Sequence, residues 1–318
     1  MIAYGRKYSL TISVPENVDT STVDNSGSVA GGAVKDAAGD GKKVQLDALT
    51  IVNLQMEAKV ASTKASGKKD SPVTTIKVYN LSAATRAFIK KGGLVELLAG
   101  YEGQEDDLPL IFSGQIVTVY TEVLGPNRVT TLSCTADANV RNNVRVSLPP
   151  VRGSSYASLL AALVDVAAKK GLPLGHFKKE GAKLNSALPS GMPIQGYLLD
   201  EISKVCGNIG YRAYITLGKL FIEPINEDLT VESILISSAT LAGSIKALKD
   251  TSGKNLGDPT SKDGVKVTVF LNGLIDISKY LELEVPDHEG TYKIISVAHD
   301  LNYEGGQWTT QLDAEKVS

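Results

Sequence analysis

From Tyr8 to Val14 apolar and polar residues alternate strictly, which is the period of a strand with one buried face, and Pro15 ends it. Gln45 to Thr63 is a long stretch rich in Leu, Ile and Val that predicts a second strand, closing at the polar turn Ser66-Gly67-Lys68-Lys69-Asp70, a hairpin tip. Thr74 to Tyr79 alternates again. Ser82 then caps a predicted helix from Ala83 to Lys91 that Gly92-Gly93 stops. Leu94 to Ala99, Leu110 to Val123 and Arg128 to Thr135 predict three more strands, the last two joined by the turn Gly125-Pro126-Asn127. Residues 1–14 and 44–137 therefore read as a mostly antiparallel barrel or sandwich with one helix riding on it.

After Asn139 the period changes from two to 3.6. Ser154 or Ser155 caps a helix from Tyr156 to Lys170, with Leu159, Leu160, Leu163, Val164 and Ala167 at helical spacing and Gly171 as its stop. A second helix is predicted from Gln195 to Gly207. Tyr211 to Thr216 and Leu220 to Glu223 then pair as a tight hairpin about Leu217-Gly218-Lys219. From Val265 onward alternation returns in four segments, Lys266–Phe270, Tyr280–Val285, Tyr292–Val297 and Gln307–Leu312. The pattern predicts an α+β fold, mainly β. Two antiparallel β-barrel or sandwich domains, 1–138 and 236–318, flank an α+β module at 139–235.

Composition narrows the function classes. The 318 residues are 42% hydrophobic and 21% charged, long enough for about two domains with cores of their own. No run of about 18 apolar residues and no signal peptide is readable, so a soluble product is expected, without a membrane partner. Thirty-three basic against 35 acidic residues give a net charge of −2, which argues against a dedicated nucleic-acid binder. Asp19 to Lys43 contains five glycines among small and polar residues and buries too little apolar surface to order itself. It reads as a surface loop or as an arm ordered by a neighbouring subunit.

The chemical inventory is thin. Cys134 and Cys206, with His176, His288 and His299, show no metal-ligand spacing, and the two thiols read as reduced, packed small hydrophobes. There is no nucleophile elbow, Walker loop or dinucleotide fingerprint, so no catalytic, cofactor-binding or metal residue is assigned and no cofactor is expected. Glu201, Asp200, Glu223 and Glu289 are the carboxylates from which a cell-wall hydrolase would draw an acid and base, but Asp200 and Glu201 are helix neighbours pointing apart. Tyr211, Tyr214 and Phe221 form either a sugar platform or an aromatic-lined core. Charge is uneven: residues 141–183 carry eight basic and two acidic residues, net +6, and residues 276–318 carry nine acidic and three basic, net −6. These blocks are solvated faces, or surfaces that meet between subunits or domains, or, for the acidic block, a wall that keeps DNA from sticking.

An ordered series of turn-plus-strand strings carries a family resemblance. Thr75-Ile76-Lys77-Val78-Tyr79-Asn80-Leu81-Ser82, then Val95-Glu96-Leu97-Leu98-Ala99-Gly100-Tyr101, then Ile111-Phe112-Ser113-Gly114-Gln115-Ile116 resemble the N-terminal half of phage tail baseplate hub proteins. Gly196-Tyr197-Leu198-Leu199-Asp200-Glu201-Ile202, Gly210-Tyr211, Gly218-Lys219-Leu220-Phe221-Ile222, Leu241-Ala242-Gly243, Asp263-Gly264-Val265-Lys266-Val267, Gly290-Thr291-Tyr292-Lys293-Ile294 and Gly306-Gln307-Trp308 are similar to its second half. The resemblance spans residues 75–314. Family members usually follow the mid-chain glycine directly with proline, whereas here Gly257-Asp258-Pro259 comes only after Ser244 to Leu256.

The resemblance implies a non-enzymatic structural baseplate hub. It would form a homotrimeric ring whose two tube-like β domains per chain give six copies around a channel, joining the sixfold tail tube, or a distal tube-like protein, to the trimeric central spike. Other baseplate components are further implied partners, DNA would pass without specific binding, and the place of action would be the virion tail, assembled in the host cytoplasm. A cell-wall hydrolase or peptidoglycan-binding module of the tail tip is the alternative.

Overall fold

The computed structural model describes residues 5–13, 48–64, 72–103, 107–141, 143–148, 154–179, 183–188, 194–225, 232–247 and 264–317. The glycine-rich segment 19–43, the hairpin tip 66–70 and the Gly257-Asp258-Pro259 connection lie outside the described residues. The fold is α+β and mainly β.

The first block holds β1 (Arg6–Ser13), β2 (Ala48–Ile51), β3 (Met56–Thr63), β4 (Thr74–Tyr79), α1 (Ala83–Phe88), β5 (Leu94–Tyr101), β6 (Leu110–Leu124), β7 (Asn127–Thr135) and the short α2 (Ala138–Arg141). Where the sequence predicts one strand from Gln45 to Thr63, there are two. Asn53 takes the left-handed conformation at φ 58° and breaks the run, so that β2 and β3 pair with different neighbours. Ser82 caps α1 as expected, its Oγ accepting from the Thr85 N–H at 3.0 Å. The helix stops at Phe88 rather than Lys91 because Ile89 turns extended and buries its side chain in the core.

The middle block holds β8 (Arg145–Leu148), α3 (Tyr156–Lys169), β9 (Leu174–Phe177), β10 (Ile194–Tyr197), α4 (Leu198–Ile209), β11 (Tyr211–Thr216) and β12 (Lys219–Pro224). Ser155 is the cap of α3, accepting from the Ser158 N–H at 3.2 Å. The second predicted helix starts three residues late. Gln195 to Tyr197 instead pair with β8, and α4 begins where the Leu198 N–H reaches the Val144 carbonyl. It ends at Gly210, whose φ of 77° suits a residue without Cβ. The hairpin β11–β12 is as predicted, and Leu217 and Gly218, both at positive φ, make a turn that matches strand twist.

The last block holds β13 (Ser233–Ser237), β14 (Lys246–Ala247), β15 (Gly264–Phe270), β16 (Tyr280–Glu284), β17 (Gly290–Asn302) and β18 (Trp308–Lys316). The four predicted strands are present. β13 and β14 add to them, and β13 lies parallel to β16. The two β-rich blocks are joined edge to edge: β17 pairs antiparallel with β3 from Ser296↔Thr63 to Asn302↔Glu57, giving the order β14-β15-β18-β17-β3-β4-β7-β6-β5-β1-β2 in one sheet.

The described residues form three hydrophobic cores, two of them against this sheet. The first, under the N-terminal strands, also takes in Leu271, Leu301 and Trp308 from the end of the chain. The second lies between α3, α4 and the hairpin, and the third lies under β15–β18 and includes Tyr214. Cys134 belongs to the first core and Cys206 to the second, each a free thiol that burial pushes up to about 12. No described helix is long and apolar enough to cross a membrane.

Candidate assembly interface

Strand alternation gives the sheet two unlike faces, and register lines their side chains up in rows. One row runs Leu301–Ala58–Ile76–Leu132 across β17, β3, β4 and β7, all of it buried. The row one residue along runs Phe270–Thr309–Asp300–Lys59–Thr75–Ser133–Thr118 across seven strands, β15 to β6, and is exposed or half-buried throughout. The next row on that face runs Asn302–Glu57–Lys77–Thr131 and ends at Tyr120. At the β3–β17 seam the face is concave, a cleft of about 500 Å³ lined by Glu57, Lys59, Thr75, Lys77, Asp300 and Asn302. Two carboxylates and two ammonium groups balance there.

The far half of β6 is a sheet edge. Pairing with β5 ends at Gln115, and both backbone groups of Ile116 are taken by Gly92 and Gly93. Beyond it, among the described residues, β6 pairs with β7 alone, leaving one row of backbone donors and acceptors open from Val117 to Leu124. Tyr120, Val123 and Leu124 on this segment are more than half exposed. Such an edge is a template for another strand.

The two rims of the sheet differ. At one, the loops 52–55, 80–82, 124–127 and 303–306 are braced to one another: Tyr8 Oη donates to the Leu54 carbonyl at 2.7 Å, Asn80 Nδ2 to Asn127 at 3.0 Å, and Tyr303 Oη to Asn53 at 3.3 Å. Arg6 bonds the carbonyls of Asn302 and Gly306 and lies over Trp308, tying the first strand to the last hairpin. The opposite rim is covered by the middle block through a buried charge cluster. Glu223 of β12 is met by Lys64 at 3.1 Å, Arg212 at 3.4 Å and Lys293 at 3.8 Å, with the Lys64 and Glu223 side chains only 2% and 3% exposed. Tyr214 Oη donates to Glu223 at 3.1 Å, and the Lys64 ammonium lies 5.2 Å from the Tyr214 ring centre. Burial, only partly offset by Glu223, lowers the Lys64 pKa to about 8, and burial raises that of Tyr214.

The carboxylates singled out in the sequence do not converge. Glu223 is enclosed by three cations, Glu201 is buried in the first turn of α4 and paired with Lys204 at 3.4 Å, Asp200 is half-buried beside it, and Glu289 is exposed at the β16–β17 turn. The aromatic trio is split by strand alternation. Tyr211 packs into the second core, whereas Tyr214 and Phe221 stack at 5.5 Å on the opposite side against the third, so all three serve packing and no platform forms. His299 is buried with its pKa lowered to about 4 by burial, His176 is exposed and His288 half-buried. Among the described residues no group of His, Cys, Asp and Glu side chains could hold a metal ion. The seam, the β6 edge and the Glu223 cluster are not foreseen from the sequence. Only the edge left a signal, in a strand-like run far longer than its neighbours.

No family model matches the sequence, and no curated protein matches it. Solved structures do match. A tail protein from Neisseria meningitidis is similar with a TM-score of 0.57 at 11% identity over 98% of this chain and 97% of that one. A prophage MuSo2 43 kDa tail protein from Shewanella oneidensis is similar at 0.54 and 9% identity over 84% and 94%. An Escherichia coli component of the type VI secretion system, itself described as structurally similar to bacteriophage tail proteins, is similar at 0.50 and 8% identity over 83% and 73%. The chain therefore has the fold of phage tail proteins, in agreement with the resemblance in its sequence.

Proposed function

We propose that this chain is a non-enzymatic structural hub of a phage tail or related contractile injection machine. Three copies close into a ring that joins the sixfold tail tube to the trimeric spike, beside other baseplate components, and lines part of the channel for DNA. It acts in the tail of the virion after assembly in the host cytoplasm. The observation that carries this reading is the polar face that crosses six strands, β18 to β6, from both ends of the chain without a break. A wall of hydroxyls, amides and balanced charges neither grips phosphate nor repels it strongly, which suits passage of DNA without binding. Two β-rich blocks fused in one sheet supply two wall segments per copy, so three copies make six. The open β6 edge offers the backbone pairing by which one copy's wall continues into the next.

Sedimentation and native mass spectrometry of the purified chain test the proposal. The expected species is three chains, alone or with tube or spike protein, and ring-shaped in electron micrographs. A strict monomer that binds neither partner overturns it.

A further inference from the structure

Part of each charge block of the sequence lies beside an open strand edge. Among the described residues β9 pairs only with β12 and β13 only with β16, so each leaves one side of its backbone unpaired. Exposed lysines flank β9 at both ends, Lys170 and Lys219 at its start and Lys179 and Lys183 past its finish. Exposed carboxylates border β13: Glu282 and Glu284 on the neighbouring β16, then Asp287 and Glu289 in the turn that follows. Each edge also carries an exposed leucine, Leu174 on β9 at 39% and Leu235 on β13 at 53%. Beside Leu235 lies a cleft of about 410 Å³ with Tyr101, Pro109, Phe270 and Leu274 among its lining.

We infer that β9 of one copy of this chain docks on β13 of the next. Leu174 enters the cleft beside Leu235, and the lysines around β9 face the carboxylates around β13. The occupant is a second copy because both halves of a complementary pair, in charge and in apolar content, stand on different surfaces of one chain. Such a head-to-tail contact closes into a ring when the rotation between copies allows it. This contact rests on the ring reading above and names the outer surfaces that join neighbouring copies.

Two exposed charge-reversed variants of the full chain test it, Glu282→Lys/Glu284→Lys and Lys179→Glu/Lys183→Glu, each first checked for native circular dichroism. For the wild type, raising NaCl from about 50 mM to about 500 mM should weaken self-association at least ~10-fold, since exposed pairs are screened. Each variant alone should associate about 100-fold more weakly than the wild type. Mixing the two should restore a hetero-oligomer, because the reversed β9 surface of one variant then faces the reversed β13 surface of the other with opposite charge. Leu235→Asp should weaken assembly whatever the salt. If the wild type forms its oligomer independently of salt and both variants assemble as it does, this inference fails while the ring reading stands. If the wild type is monomeric at every salt and concentration and binds neither tube nor spike protein, both fail.

Discussion

Glu223 holds more of the molecule together than any surface pair, because it is the buried anion around which three cations gather, two of them buried and Arg212 partly so. Removing it, as in Glu223→Ala, leaves those cations facing one another out of water and should cost about 3–5 kcal/mol in urea unfolding. Lys64→Met is expected to be neutral to within about 1 kcal/mol, since Arg212 and Lys293 still neutralise the carboxylate and an ammonium is no longer desolvated. The Lys64 pKa of about 8 lies below its ordinary value, so keeping this group charged costs folding stability below pH 8, and that cost disappears as pH rises from 8 to 10.5. The wild type should therefore gain on Lys64→Met over that window.

His299 acts in the same sense at lower pH, losing stability as the medium turns acid. Thr310 Oγ1 accepts the Asn272 N–H at 3.0 Å and lies 2.9 Å from His299 Nδ1, and burial keeps the ring neutral. With a folded pKa of about 4 against about 6.5 unfolded, the unfolded chain takes up the proton first as pH falls. Stability is then lost between pH 6.5 and 4, by about 3 kcal/mol at most. His299→Gln should flatten that part of the pH profile, measured by urea unfolding at several pH values. A profile identical to the wild type would show that the loss comes from the carboxylates instead.

At the scale of elements, strand period and caps were legible in the sequence, and pairing between distant strands was not. Tyr8 to Ser13, Thr74 to Tyr79 and the Ser82 and Ser155 caps follow from local chemistry that acts within a few residues. Gln195 to Tyr197 read as helix because their helical neighbours dominate the pattern, yet pairing with β8 wins there. The β3–β17 seam joins residues more than 230 positions apart, and no local signal encodes it. Ser62→Pro, opposite Val297 in the seam, removes a backbone donor that faces β17 and should destabilise both blocks together. Hydrogen exchange should then speed up in β17 and β18 as well as in β3 and β4. Acceleration confined to β3 and β4 would mean that the blocks unfold separately.

At the scale of the whole molecule, a mainly β chain with an α+β insert, two reduced thiols in apolar surroundings and two opposed charge blocks follow from the order of residues alone. These depend on the side-chain period along the backbone and on composition, both of which are local. Folding in three dimensions was needed to make the two β-rich blocks one sheet, to bring the polar positions of six strands into register as a single face, and to stand Glu223 among Lys64, Arg212 and Lys293. Alternation says which side of a strand is buried but not which strand lies beside it. Neighbours are chosen by cores and backbone pairing that bring distant segments together, and the polar face, the open β6 edge and the buried charge cluster exist only once they have met.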